Sequence, residues 1–359
     1  SYVIPFIFLL GIGIAIIYNM GTNIIFGDIS YITKALSAVL QLGVTMDYSI
    51  FLLHRYDEER ENYEDKREAM ATAISATIES VAGSSLTTIA GFIALCVMEL
   101  ALGRDIGFVM AKGVLFGVIC TVTVLPALIL TFDKAIHRFR HKNLLPTFEK
   151  SSRFIIKHHK AFVFVAILVL IPAVIGKEKT KVYYNLDESL PRDLPSIIAT
   201  DKLRDEFNMV STNIVLVKDS IEPYKVEEML KELNKVDGVT TAVGLESILG
   251  SRIPTDFIPS DLMEKIESGG YREIMVNSKY KAASDEVAEQ LKEITAIVKK
   301  YDNDGLVGGE APLTNDLIDI ADTDFARVSI FSILAIFVII LVIFKSPTVP
   351  VILVLSIEL

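Results

Sequence analysis

The sequence predicts an α-helical membrane bundle with an acidic α+β domain inserted into it. Three observations carry that prediction. The chain has 359 residues, 51% of them hydrophobic, and a mean hydropathy of +0.46, which is too apolar for an ordinary water-soluble protein, yet its formal net charge is -10. Those values fit together only if apolar and acidic parts are segregated, and between Gly176 and Ala326 no apolar run reaches span length while Asp plus Glu outnumber Lys plus Arg. Within that acidic stretch, short apolar strands alternate with amphipathic helices.

Tyr2 to Tyr18 is an apolar run long enough to cross a bilayer. A loop without a basic residue, Asn19 to Ser30, leads to a second span, Tyr31 to Leu53, with Lys34 near its start and Asp47 deeper in. The connection HRYDEERENYEDKRE is too charged to stay in lipid. The third span, Ala71 to Met98, carries Ser80, Ser84, Thr87 and Gly91 at helical spacing, read as a packing face. A turn with Gly103, Arg104 and Asp105 opens the fourth span, Ile106 to Phe132. Gly113, Gly117 and Thr121 form a small-residue packing face there, Lys112 is expected to snorkel near the outer end, and Pro126 to kink the inner end.

Residues 1–132 thus form a first bundle, and 133–160 a basic amphipathic linker. The linker's excess of Lys and Arg places it in the cytoplasm by the positive-inside rule. It suits anchoring to anionic lipid better than nucleic-acid binding, and its histidines show no metal-ligand spacing. Residues 161–175 form a fifth span that delivers 176–324 to the external side, and 325–359 return through the membrane and begin another apolar run. In the external domain, strands are expected at Asn213 to Val217, Val239 to Val243, Ile274 to Asn277 and Leu306 to Gly309. Helices are expected at Pro223 to Lys235 and Ala283 to Lys300, and the whole predicts a ferredoxin-type α+β sandwich with an insertion at Ser247 to Gly270.

Asp47 is the residue to explain. Counted back from Arg55, the first permanent charge beyond the run, it sits roughly 12 Å inside the span. An ionisable group at that depth costs at least about 2.5 kcal/mol on insertion scales, so it ordinarily faces a bundle interior or a wet cavity and marks an ion or proton path. Desolvation favours the uncharged acid, which makes protonation near neutral pH available. Tyr48 follows with a phenol that can donate to a carboxylate or water. Gly43, one turn earlier on the same face, lets a neighbouring helix come close. Glu79 is either a second carboxyl near Asp47 or part of an amphipathic lead-in at the interface.

Other chemistry finds little support. Cys96 and Cys120 lie in spans and indicate no disulfide framework. No Walker A sequence is present, and the Gly308 to Glu310 turn is a strand end rather than a phosphate loop. An intramembrane aspartyl hydrolase needs two catalytic carboxyls, of which only Asp47 is secure. SYVIPFIFLL (Ser1 to Leu10) and SPTVPVILVL (Ser346 to Leu355) share their serine, proline and apolar run, as one period of a duplicated transporter would. The ends of the sequence fall within apolar runs, which leads us to expect a piece of a longer polypeptide.

GVTMDYSIFLLHRYDEERE (Gly43 to Glu61) resembles the fourth-span signature of the MMPL family of the resistance-nodulation-division transporter superfamily. AGSSLTTIAGF (Ala82 to Phe92) and IGFVMAKGVLFGVICTVTVLPAL (Ile106 to Leu128) are similar to its fifth and sixth spans. VYYNLDESLPRDLPS (Val182 to Ser196) and LVGGEAPLTND (Leu306 to Asp316) resemble the entry to and exit from its second external porter domain. The resemblance covers essentially the whole chain and implies a partial fold of that superfamily, from the third span to the start of the ninth.

It implies a secondary transporter rather than an enzyme, exporting lipids, other hydrophobic compounds or drugs, driven by a proton gradient without other cofactor. Asp47 and Tyr48 match the family's proton-relay pair, with Gly43 and Glu79 as accessory residues. The equivalent second pair would lie beyond Leu359. Implied partners are membrane lipids, a hydrophobic substrate, protons and the second half of the same chain, with a homo-oligomer as an option and no nucleic acid. The implied location is the plasma or inner membrane, with the porter domain extracellular or periplasmic. A protein-translocation auxiliary, a sterol-handling relative and a membrane scaffold without transport are the competing readings.

Overall fold

The computed structural model describes residues 1–139, 149–179, 190–250 and 266–358. The chain divides into two compact units, Ser1–Glu178 with Asp322–Leu359, and Lys179–Ala321. The expected features at Val182 to Glu188 and much of the Ser247 to Gly270 insertion lie outside the described residues, as do Arg140, His141 and Lys142 of the basic linker.

The first unit opens with α1 (Ile4–Gly21), α2 (Tyr31–Glu59), α3 (Lys66–Ala94) and α4 (Ala101–Val122), which pack on one another. Polar caps fix where α2 and α3 begin. Ser30 Oγ accepts from the Ile32 amide, and Asp105 Oδ2 accepts from the Ser30 amide at 2.8 Å and from Thr33 Oγ1 at 3.0 Å, so α4 helps to start α2. Asp65 caps α3 through the Arg67 amide. The fourth span breaks at Thr123 and resumes as α5 (Val124–Thr131). Pro126 is the third residue of the second piece, where it has no N–H to give the Val122 carbonyl. The amphipathic α6 (Asp133–Arg138) and α7 (Glu149–Lys157) follow, then the exposed apolar α8 (His159–Lys179).

The contacts among α1, α2 and α4 combine an apolar cluster, in which Ile7, Phe8 and Ile12 meet Leu52 and Tyr56, with a polar and close set. Asn19 Nδ2 donates to Gln41 Oε1 at 2.9 Å and Gln41 Nε2 donates to the Gly113 carbonyl at 3.1 Å, with Asn19 and Gln41 fully buried. A Cβ added at Gly113 would stand 2.6 Å from Asn19 Nδ2, and one at Gly117 would stand 2.5 Å from Thr45 Oγ1. Both helices therefore approach only because these positions lack side chains. Lys112, expected to snorkel, instead turns its ammonium to the end of α1, donating to the Asn19 carbonyl at 2.9 Å, Thr22 Oγ1 at 2.9 Å and Asn23 Oδ1 at 2.6 Å. A cation there satisfies the last carbonyls and complements the helix dipole.

The second unit contains α9 (Pro195–Phe207), β1 (Ser211–Lys218), α10 (Pro223–Leu233), β2 (Val239–Val243), α11 (Leu245–Leu249), β3 (Glu267–Ser268), β4 (Tyr271–Ser278), α12 (Asp285–Tyr301) and β5 (Leu306–Gly309). Strand order is β2-β4-β1-β5, with β3 paired to β4 and every pairing antiparallel. Each strand–helix–strand half is thus interleaved with the other, as the ferredoxin type requires. β1 alternates buried and outward positions, and its inward Val215 and Val217 meet Ile274 and Val276 of β4, Met229 and Leu233 of α10, and Ile294 and Val298 of α12. Each such side chain contributes about 1.5–3 kcal/mol by leaving water. An ion pair closes one end of this core, Arg272 Nη1 lying 2.5 Å from Glu246 Oε1 with both side chains buried.

β5 leads directly into α13 (Glu310–Phe344), followed by α14 (Thr348–Glu358). The expected span at Phe325 is therefore the second half of a 35-residue helix. Within the first unit, the fully buried Asp324 of α13 accepts from the Glu99 and Leu100 amides, each at 3.0 Å, and so caps the start of α4. Arg327 Nη1 reaches Glu99 Oε1 at 2.5 Å beside it. Six helices among the described residues are long and apolar enough to span a membrane: Ile4–Ile25, Tyr31–Glu59, Lys66–Val97, Ala101–Thr131, His159–Lys177 and Glu310–Phe344. The protein is a multi-pass membrane protein.

Candidate functional site

Asp47 and Tyr48 are adjacent on α2, so their side chains leave the helix about 100° apart. That angle separates their environments. Tyr48 is 4% exposed and packs against Val81 of α3 and Val114 of α4, whereas Asp47 is exposed. Both line a cleft of about 240 Å³ between α2 and α3, with Val44 and Phe51 on one wall and Ser80, Val81, Ser84 and Thr88 on the other. The Tyr48 hydroxyl is buried and faces the Thr88 and Ser84 side chains across the cleft. A phenol placed there can donate to a hydroxyl, a carboxylate or a water in the cleft.

The cleft therefore combines a carboxyl, a phenol and three hydroxyl side chains in a wall that is otherwise apolar. Thr88 Oγ1 donates to the Ser84 carbonyl at 2.9 Å, which leaves its oxygen able to accept. Ser80 and Ser84, expected on a packing face, instead line the cleft beside Asp47. The packing contacts of α3 with α13 fall at Gly83 and Gly91, where an added Cβ would meet Ile343 Cδ1 at 3.5 Å and Ser332 Oγ at 3.9 Å. The spacing of Ser80, Ser84 and Thr88, one helical turn per step, is the sequence signal that points to a shared face.

Glu79 is exposed and is not among the residues lining the cleft. An added Cβ at Gly43 meets nothing within 4 Å, so no described helix packs closely on it. Gly43 and Asp47 instead share an uncovered stripe of α2 with Leu36, Val39, Leu40, Ile50 and Phe51, all exposed. Among the described residues, no group of three or more His, Cys, Asp or Glu is arranged to hold a metal ion.

The MMPL family model matches residues 1–156 and 190–359. The chain belongs to the MMPL family. A membrane protein of Methanocaldococcus jannaschii is 39% identical over 97 residues, which is 27% of this chain and 25% of that protein. The sulfolipid-1 exporter MmpL8 of Mycobacterium tuberculosis is 22% identical over 279 residues, 73% of this chain and 25% of the exporter. Among solved structures, SecDF of Thermus thermophilus, a translocon-associated membrane protein, is similar over 94% of this chain and 39% of its own, with 14% identity and a TM-score of 0.47, a likeness too low to favour any function. This MMPL chain spans about a quarter of the length of these curated relatives.

Proposed function

We propose that this MMPL chain is part of a proton-driven secondary transporter that exports lipids or other hydrophobic compounds, and is not an enzyme. The observation that carries this reading is the cleft, where Asp47 stands mid-helix in a candidate span beside the buried hydroxyl of Tyr48. A carboxylate on that surface of α2 costs about 2.5–3.5 kcal/mol against hydrocarbon, and protonation removes the cost. The uncovered stripe bearing Gly43 and Asp47 calls for a further helix, which the family resemblance assigns to a second half of the transporter. With that helix in place, loss or gain of one proton changes which packing is favoured, and a gradient drives the cycle. The lipid substrate class is supported by the sulfolipid-1 exporter among the relatives. The basic linker faces the cytoplasm and the α/β unit the outside of the plasma or inner membrane in this reading.

The test is proton flux in proteoliposomes holding the polypeptide that carries this sequence, with an imposed pH gradient and with sulfolipids or phospholipids supplied. Wild type is expected to dissipate the gradient in a substrate-dependent way, and Asp47→Asn to lose at least about tenfold of that rate while inserting normally. Equal flux in the two proteins would remove Asp47 from the proton path.

A further inference from the structure

In the α/β unit, a pocket of about 320 Å³ lies where the turn between α10 and β2 meets α12, lined by Asp237, Tyr280, Glu286, Glu289, Gln290 and Glu293. The turn gives it a shaped wall. Gly238 has a φ of +81°, and a Cβ at that position would collide with the Tyr280 ring, so only glycine lets the ring lie against the turn. The Tyr280 hydroxyl donates to Asp237 Oδ2 at 2.6 Å, and Lys279 Nζ lies 3.7 Å from Oδ1. Asp237 is thereby committed.

The other three carboxylates are uncommitted. Glu286, Glu289 and Glu293 are exposed, and none makes a side-chain hydrogen bond or an ion pair among the described residues. Elsewhere in this unit acids are matched with lysines: Glu222 with Lys225, Glu227 with Lys231, Glu232 with Lys300 and Asp304 with Lys218. The unmatched three share one face of α12 over roughly 10 Å of its length, where like charges one turn apart work against the helix.

Between them lies an acceptor with nothing to accept. Gln290 is 3% exposed, and its Nε2 donates to the Asp237 carbonyl at 2.7 Å, which fixes the carboxamide. Its Oε1 is buried and has no hydrogen-bond partner among the described residues. An acceptor in that state costs free energy until a donor arrives. A ligand that completes this pocket therefore brings both N–H donors and several positive charges. A single metal ion does not match, since no described group of three or more His, Cys, Asp or Glu is arranged to hold one. Ammonium groups spaced along a thin chain do match, because each offers N–H donors as well as charge.

We propose that this pocket binds a linear polyamine carrying three protonated amines, with the terminal amines on Glu286 and Glu293 and the central one donating to Glu289 and to Gln290 Oε1. Such a site is independent of Asp47 and of the compound that the bundle exports.

The experiment is isothermal titration calorimetry at low ionic strength, with the polypeptide purified in a non-ionic detergent and with spermidine, putrescine, trilysine or calcium ion as the titrant. Spermidine is expected to bind about tenfold more tightly than putrescine, the scale of one charge-assisted contact. Glu289→Gln and Glu293→Gln are each expected to lose about tenfold of the spermidine affinity. Glu228→Gln removes an exposed acid of α10 that does not line the pocket, and is expected to leave that affinity unchanged. All three side chains are exposed, and an unchanged thermal midpoint confirms that each variant folds. Equal affinity for spermidine and putrescine, or an equal loss in Glu228→Gln, would overturn the proposal by showing attraction to the acidic surface as a whole. Trilysine or calcium bound as tightly as spermidine would overturn the assignment to a polyamine.

Discussion

In the α/β unit, buried positions between the sheet and its two long helices are Val215, Val217, Met229, Leu233, Ile274, Val276, Ile294 and Val298. Between α1, α2 and α4 the buried positions include Asn19, Gln41, Thr45 and Gly117. The difference follows from solvent. In water, apolar area removed from solvent drives helix onto sheet. In lipid, an apolar side chain gains little by leaving hydrocarbon for another helix, so close backbone approach and hydrogen bonds hold the contact. One unit should therefore fail when apolar volume is removed, and the other when volume is added.

The largest expected effect is in the α/β core. Ile274→Ala empties a fully buried position on β4 and should cost about 2–5 kcal/mol. Hydrogen exchange is the check, with amides of β1 and β4 accelerating while those of α1 to α4 stay protected. Acceleration in both units would show that they unfold as one.

The bundle should respond to the opposite change. Gly117→Ala places a Cβ 2.5 Å from Thr45 Oγ1 and should cost about 1–3 kcal/mol by overpacking. Gly43→Ala meets open space within this chain and gains helix propensity, so it should be neutral or stabilising by up to about 1 kcal/mol. Thermal midpoints in detergent compare the two. A loss at Gly43→Ala equal to that at Gly117→Ala would show that another helix covers that stripe.

The smallest effect concerns charge in the water-facing unit. Lys300 Nζ approaches Glu232 at 2.7 and 2.9 Å and the Tyr301 hydroxyl donates to it at 3.1 Å, joining α10 to α12. The hydrogen bond from Lys300 holds the Glu232 carboxyl below its ordinary range. A lowered folded-state value means that the contribution is present above the unfolded-state pKa and disappears as pH falls through the folded one. Glu232→Gln should therefore leave stability nearly unchanged at neutral pH, as exposed pairs do, and flatten the acid flank of its pH profile. An acid flank identical to wild type would remove this pair from the ledger.

Much of this organisation is legible in the residues. Strand and helix positions in the α/β unit follow from period, and β1, α10, β4 and α12 lie within a few residues of their expected bounds. Antiparallel interleaving of the halves agrees with the ferredoxin-type expectation. Less legible were the uses of polar residues inside spans. Lys112 reads locally as a snorkelling cation, and only the arrival of the α1 terminus beside it makes it a helix cap. Ser80 reads as a packing residue and Glu79 as either a second acid or part of an interfacial lead-in, and one step along α3 puts Ser80 on the Asp47 cleft and leaves Glu79 exposed outside its lining.

By itself, the sequence determined which stretches are apolar enough to span, where the acidic domain is inserted, and that an acid sits mid-span at Asp47, because those properties are set by composition and period along the chain. Tertiary structure alone decided that Tyr48 is buried while Asp47 is exposed, that Asp324 caps α4 from 224 residues away, and that Asp237 and Glu293 share a pocket. Those outcomes depend on which helix faces meet, and helical period fixes a residue's face without naming the neighbour that will cover it.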